Sequence, residues 1–362
     1  SDGHGRSVRS PMVPRDNGTD IWDGNFRPDH EGDWSFSIAT YSDILATWRH
    51  RAEIKIPAGV DVELELEEGA RILARAEVPD RTVLDKAIRG LRNTALTPAG
   101  RLAAGLDESL WKMLREHPIR DLESMCGPWP VYADRRRALF GSWYELFPRS
   151  EGSSLDPLRS GTFRDAAQRL PVIAEMGFDV VYLPPIHPVG TVNRKGPNNS
   201  LTPGPGDPGS PWAIGSADGG HDTVHPDLGT IDDFDAFVAS TRELGMEVAL
   251  DLALQVAPDH PWPTSGRPWF TVRADGSIAY AENPPKKYQD IYPMWFDGDP
   301  AGLVAEVLRV IHYWMDHGVR IFRVDNPHTK PVRFWDHVLG EIKRTDPDVL
   351  FQNGRASCRE RV

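Results

Sequence analysis

At 362 residues the chain is too long for one small module and long enough for two or three domains with a substantial core. Its 40% hydrophobic and 26% charged residues describe an ordinary globular protein, and a net charge of -12 leaves no basic face for nucleic acid or an anionic membrane. No apolar run approaches the roughly 20 residues of a membrane helix, and Cys126 and Cys358 are too few and too distant for a disulfide framework, so a cytoplasmic setting is expected.

The beginning, Ser1-Asp2-Gly3-His4, is unlike a signal peptide and lacks Met, which points to a fragment. Residues 1–32 carry few paired strand signals. Trp34, Phe36 and Ile38 then alternate with polar neighbours, as do Val60, Val62, Leu64 and Leu66, and this spacing predicts a partial β-sandwich over 1–80. From Arg81 the period turns helical, with Leu84, Ile88 and Leu91 on one face, Thr97-Pro98 and Asp107 as helix starts, and His117-Pro118 as a stop. Residues 81–130 therefore read as a helical insertion, closing with Cys126-Gly127-Pro128-Trp129-Pro130 as a linker.

Beyond it, β and α patterns alternate. Strands are expected over 139–147, 178–183, 246–252, 319–324 and from 349, with helices over 163–176, 232–244, 301–317 and 334–344. A long loop covers 184–228, and within it residues 196–212 hold five Pro and four Gly, a composition that resists regular structure and suits a rim or lid. Apolar strands alternating with helices predict a parallel sheet, here the first half of a (β/α)8 barrel over 131–352. A doubly wound sheet would favour shorter loops and a Gly-rich first turn, and neither is present. Residues 353–362 lose the pattern and read as a tail outside the fold.

Reactive groups in a barrel sit at the C-terminal ends of its strands. Asp251 follows Glu247-Val248-Ala249-Leu250, and Asp325 follows Arg320-Ile321-Phe322-Arg323-Val324. Arg323, two residues before Asp325 and on the same strand face, can hold that carboxylate ionised, as a nucleophile attacking an acetal carbon requires. Taken alone, the pair reads equally well as an ion pair at a strand end. The twelve Trp residues likewise suit either large cores or stacking against sugar rings.

The string Gly318-Val319-Arg320-Ile321-Phe322-Arg323-Val324-Asp325 resembles the fourth-strand motif of the α-amylase superfamily, glycoside hydrolase family 13. The strings 323–331 (Arg-Val-Asp-Asn-Pro-His-Thr-Lys-Pro) and 282–290 (Glu-Asn-Pro-Pro-Lys-Lys-Tyr-Gln-Asp) resemble its branch of α-1,4-glucan:maltose-1-phosphate maltosyltransferases. The resemblance implies Asp325 as nucleophile with Arg323 as its support and Asn326 beside it. It implies Asn283, Lys286 and Tyr288 as ligands of the donor phosphate, with Lys195 and Gln255 on the sugars. It further implies a homodimer joined through the N-terminal region, the substrates maltose 1-phosphate and an α-1,4-glucan, and no metal or cofactor. The chemistry agrees: an amide, an ammonium and a phenol at i, i+3 and i+5 can converge on a dianion. Lys287 reads as solvated surface.

Two departures qualify this. Amylases carry an Asn and a His at the fourth and fifth positions after Asp251, where this chain has Gln255 and Val256. That weakens the α-glucan hydrolase alternative, and Asp251 reads as a residue that orders the strand ends. The superfamily also places a general acid, a Glu, just after the fifth strand, where Leu350-Phe351 is followed by Gln352-Asn353 and the only later carboxylate is Glu360. With that acid and strands six to eight absent, a fragment inactive by itself is expected, or a non-catalytic sugar-binding relative.

Overall fold

A computed structural model describes residues 5–353 except 16, 17 and 157, so Cys358, Glu360 and the expected tail at 354–362 lie outside the described residues. The chain divides into two compact units, Ser1–Ala133 and Asp134–Val362.

In the first unit, β1 (Gly32–Ser42) pairs antiparallel with β2 (Asp121–Ala133), bringing Phe36 opposite Trp129 and Ile38 opposite Cys126. Between them run α1 (Ile44–Lys55), α2 (Val62–Ala74), α3 (Thr82–Leu91), α4 (Pro98–Gly105) and α5 (Glu108–Glu116). Asp43, Thr97 and Asp107 cap three of these helices, each accepting from a backbone N–H of the first turn. The bundle closes on Trp48, whose indole donates to the Glu65 carbonyl at 2.7 Å and packs so closely that a Cβ on Gly69 would lie 2.2 Å from its ring.

Two expectations are corrected here. The stretch assigned to a partial β-sandwich is helical from Ile44 onward, and Val62, Leu64 and Leu66 belong to α2, where Leu66, Ala70 and Leu73 are buried at helical spacing. The Cys126–Pro130 stretch is no linker but the middle of β2. Its prolines are tolerated because β2 pairs on one side only, and a missing N–H on the other breaks no ladder.

The second unit carries a parallel sheet of β3 (Trp143–Glu145), β4 (Val180–Leu183), β5 (Glu247–Leu252), β6 (Ile321–Val324) and β7 (Leu350–Asn353), neighbours in the order of the chain. That order has no point at which the chain returns to the other side of its first strand, as a doubly wound sheet would require. The helices between strands are α6 (Phe163–Ala167) and α7 (Leu170–Glu175), then α8 (Ile231–Glu243), α9 (Pro300–Asp316) and α10 (Val332–Thr345). The helix expected over 163–176 is thus two, divided before Leu170-Pro171, since Pro lacks the N–H a continuous helix needs. The first strand is shorter than the expected 139–147, and Leu139 and Phe140 are exposed.

Strand alternation separates the two faces of this sheet. Val181, Leu183, Val248, Leu250, Phe322 and Val324 pack with Phe163, Phe234 and Trp314 in the core beneath the helices. Val180, Tyr182, Ala249 and Ile321 form a second cluster on the opposite face, and by the period of two Asp251 and Arg323 share that face. Among the described residues no helix is long and apolar enough to cross a membrane.

Candidate active site

Strand register assembles the centre. Arg323 on β6 is the direct neighbour of Asp251 on β5, and the Asp325 backbone N–H continues the ladder by donating to the Leu252 carbonyl at 3.1 Å. Arg323 Nη1 donates at 2.8 Å both to Asp251 Oδ2 and to Asp325 Oδ1, so one guanidinium nitrogen bridges the two carboxylates. From β4, the Tyr182 hydroxyl donates to Asp251 Oδ2 at 2.5 Å, and its ring lies 5.6 Å from the Arg323 guanidinium carbon.

These partners set unequal environments. Asp251 is fully buried, and burial pushes its carboxyl up to about 7, against the Tyr182 hydrogen bond and the Arg323 charge. The same burial, with Asp251 beside it, drives the Tyr182 phenol well above its ordinary value. Burial works against the Arg323 cation, but Asp251, Tyr182 and Asp325 outweigh it and raise its pKa. Asp325 is the more open carboxylate, its side chain 16% exposed. The face has one carboxylate held inside and one presented.

The turn after β6 completes the presentation. Asn326 adopts a left-handed conformation with φ 45°, and its side-chain amide donates to Asp325 Oδ2 at 2.9 Å. Lys330 crosses beneath that turn, its ammonium donating to the Asn326 and Asp325 carbonyls at 3.1 and 3.3 Å. Burial lowers the lysine to about 8.

The predicted phosphate ligands lie on a separate hairpin, Ala281–Asn283 paired with Lys286–Tyr288. Asn283 stands opposite Lys286 and Ala281 opposite Tyr288, so Asn283, Lys286 and Tyr288 share one face while Glu282 and Lys287 share the other. Both Asn283 and Lys286 are exposed. Lys195, by contrast, is buried, its ammonium 3.8 Å from Asp290 just past the hairpin. Gln255 sits in a short strand paired with Tyr292–Pro293, and its side chain donates to the Trp212 carbonyl at 3.3 Å. The segment 281–293 thereby ties Lys195 and Gln255 to the hairpin. Among the described residues, no hydrogen bond or ion pair joins the hairpin face to the Asp325 cluster.

Three residues were not singled out from sequence. Tyr182 and Lys330 matter through register and turn geometry, which no local pattern encodes. Asp290 is buried with Oδ1 lacking a hydrogen-bond partner, and burial raises its carboxyl. Its signal was available as an acid closing the 282–290 string.

The parallel α/β sheet thus presents two carboxylates, bridged by one arginine, at its strand ends, where reactive groups of such sheets sit. Comparison with known proteins narrows the class. Residues 1–135 match the family described as alpha-1,4-glucan:maltose-1-phosphate maltosyltransferase, domain N/S. The chain is 56% identical over 347 residues, 94% of its length, to alpha-1,4-glucan:maltose-1-phosphate maltosyltransferase 1 of Streptomyces coelicolor, and covers 51% of that protein. Against the Mycobacterium tuberculosis enzyme of the same name it is 54% identical over 95% of its length, covering 50% of that protein. The chain thus spans about half the length of the curated relatives it matches. The resemblance read from residues 282–290 and 323–331 is borne out at this level. Among solved structures, an α-amylase from Lactobacillus plantarum aligns at a TM-score of 0.49 and 27% identity, over 58% of this chain and 44% of that one.

Proposed function

We propose that the chain contributes the nucleophile and the donor-binding portion of a retaining glycosyltransferase that moves maltosyl units from maltose 1-phosphate to the non-reducing ends of α-1,4-glucans, in α-glucan synthesis. The observation that carries this reading is the hairpin register, which turns Asn283, Lys286 and Tyr288 to one exposed face as a phosphate would need. The identity to named maltosyltransferases supports it, and the hydrolase alternative is not favoured.

In this reading the sheet is the first part of a (β/α)8 barrel, supported by its parallel strands in chain order. The Asp325 carboxylate attacks the anomeric carbon of the donor. The bond from that carbon to the phosphate oxygen breaks, and phosphate leaves with the electron pair. A glucan hydroxyl then attacks the same carbon, the bond to Asp325 breaks, and the hydroxyl proton passes to a general base. Arg323 and Asn326 hold Asp325 for both steps. Lys195 and Gln255 contact the sugars, no metal takes part, and the whole enzyme works as a cytoplasmic homodimer.

In an enzyme carried through the full length of the relatives, maltose 1-phosphate and glycogen should yield phosphate together with chains lengthened by two glucoses. Release of free maltose without elongation would instead support a hydrolase. In the same enzyme, Lys286→Ala should raise the KM for maltose 1-phosphate about ten- to a hundredfold, the equivalent of one charge-assisted hydrogen bond, and leave the KM for glucan nearly unchanged. Equal effects on both substrates would mean that the hairpin does not read phosphate.

A polypeptide of these 362 residues alone should give no measurable transfer. The cluster around Asp325 offers a nucleophile, but the acceptor hydroxyl needs a base, and β7 stands at the edge of the described sheet with one side unpaired. Elongation of glucan by this polypeptide, purified and monodisperse, would overturn that expectation.

A further inference from the structure

Away from the carboxylates, the second unit buries three imidazoles, His187, His221 and His260, each no more than 2% exposed. Their hydrogen bonds fix the protons. His221 Nε2 lies 2.8 Å from the Ala253 carbonyl oxygen, which only accepts, so this nitrogen carries hydrogen and donates. In a neutral ring His221 Nδ1 is then an acceptor, and His260 Nε2, 3.2 Å away, must donate to it. The remaining nitrogen, His260 Nδ1, accepts from the Trp262 backbone N–H at 3.0 Å. Three hydrogen bonds therefore run in one direction, from the Trp262 amide through His260 and His221 to Ala253. A proton added to either ring would set donor against donor.

The surroundings are built around this pair. Gly215 has φ 102°, and a Cβ there would lie 2.1 Å from His260 Cδ2, while one on Gly220 would lie 2.4 Å from His260 Nε2. Trp262 stacks on His221 with centroids 4.8 Å apart and planes 6° from parallel, and the Trp314 indole donates to the His221 carbonyl at 2.7 Å. His187 donates from Nδ1 to the Thr223 carbonyl at 3.1 Å and packs against His221. The relay thus joins the long loop after β4, the turn after β5 and the loop leading to α9.

What it holds is the turn on which Gln255 sits. The Ala253 carbonyl accepts twice, from His221 Nε2 and from the Gln255 backbone N–H at 3.0 Å. Ala253 lies midway between Asp251 and Gln255 in sequence. We infer that His260 and His221 are positioning residues of the donor-sugar site: their one-way relay clamps the Ala253 turn and so fixes Gln255 against the donor. This rests on the reading of Gln255 as a sugar contact given above.

The charges that act on the relay, Asp222 and Glu306, both bind Arg309, at 2.9 and 2.7 Å. Asp259, next to His260 in the chain, accepts from Thr191 through Oδ2, and its Oδ1 is buried without a hydrogen-bond partner. Burial lowers His187 to about 3, His221 to about 4 and His260 to about 2. With folded values below the unfolded value of about 6.5, the stability these neutral rings require is complete above that pH and is lost progressively as the pH falls below it.

Two variants in the full-length enzyme separate positioning from mere packing. His260→Gln keeps a donor near the Nε2 position, and His260→Phe fills the volume without one. The phenylalanine variant should raise the KM for maltose 1-phosphate about tenfold with kcat within about threefold of wild type, and glutamine should recover most of that loss. Equal loss in kcat and KM, or no recovery by glutamine, would overturn the proposal. Imidazole 15N NMR of the wild-type enzyme tests the relay without any turnover. Both rings should be neutral with hydrogen on Nε2 at pH 6, and hydrogen on Nδ1 of either ring, or a charged ring at that pH, would overturn it. An enzyme with no transfer activity at all would instead sink the maltosyltransferase reading, and the NMR result would still decide the relay.

Discussion

Asp325→Ala in the full-length enzyme should lower maltosyl transfer by roughly 10,000-fold or more while the protein stays folded, because in the proposed mechanism the substitution removes the atom that attacks the donor. The geometry argues that the fold survives. Arg323 loses one of its two carboxylates but keeps Asp251 at 2.8 Å, so the guanidinium is not left unpaired. Asp325 is also part-exposed at its strand end, and water can reach the Asn326 amide that its carboxylate frees. A cost of about 1–2 kcal/mol is expected, small beside the loss of rate. Asp325→Asn makes the control, since it keeps the shape and removes the nucleophilic charge. An alanine variant retaining more than about 1% of wild-type turnover would show that another residue attacks.

Arg323→Ala should be the next most damaging change, lowering transfer by about a hundred- to a thousandfold and stability by about 3 kcal/mol. Here the pairing is not spared. Both carboxylates lose the nitrogen that bridges them, and Asp251, fully buried, keeps only the Tyr182 hydroxyl. With its carboxyl already pushed up to about 7, Asp251 then takes a proton more readily still. A buried carboxyl whose folded pKa stands above its unfolded value costs stability as the pH rises, because it ionises more readily in the unfolded chain. The loss of stability should therefore be greater at pH 8 than at pH 6. A loss of stability equal at both pH values would mean that Arg323 does not support the charge on Asp251.

The second unit was legible because its strands are short apolar runs separated by amphipathic helices, a pattern written locally, residue by residue. The placement of the candidate site was legible for the same reason: an acid at the end of each of two such runs lands at a strand end, and Arg323 two residues before Asp325 shares its face. The first unit resisted because its one long pairing joins residues about 90 apart across five helices, and neither partner announces the other. Pro128 and Pro130 then looked like punctuation rather than strand. Residues 60–66 misled for another reason. Their alternation fits a strand, but Leu66, Ala70 and Leu73 continue it at helical spacing, and burial against Trp48 decides between the two periods. Tyr182 was invisible because its hydroxyl meets Asp251 across the sheet, and Lys330 because it reaches back to a turn whose left-handed residue is Asn326.

The most direct test of the central claim, that Asp325 forms the covalent bond to the transferred sugar, is to trap the full-length enzyme with a 2-fluoro maltosyl donor and map the labelled peptide by mass spectrometry. Fluorine at C2 slows both displacement steps by destabilising positive charge at the anomeric carbon, and a good leaving group lets the first step proceed while the second stalls. The account predicts a single maltosyl adduct on Asp325, lost when an α-1,4-glucan acceptor is supplied. An adduct on any other residue, or turnover of the donor with no covalent adduct formed, would contradict it.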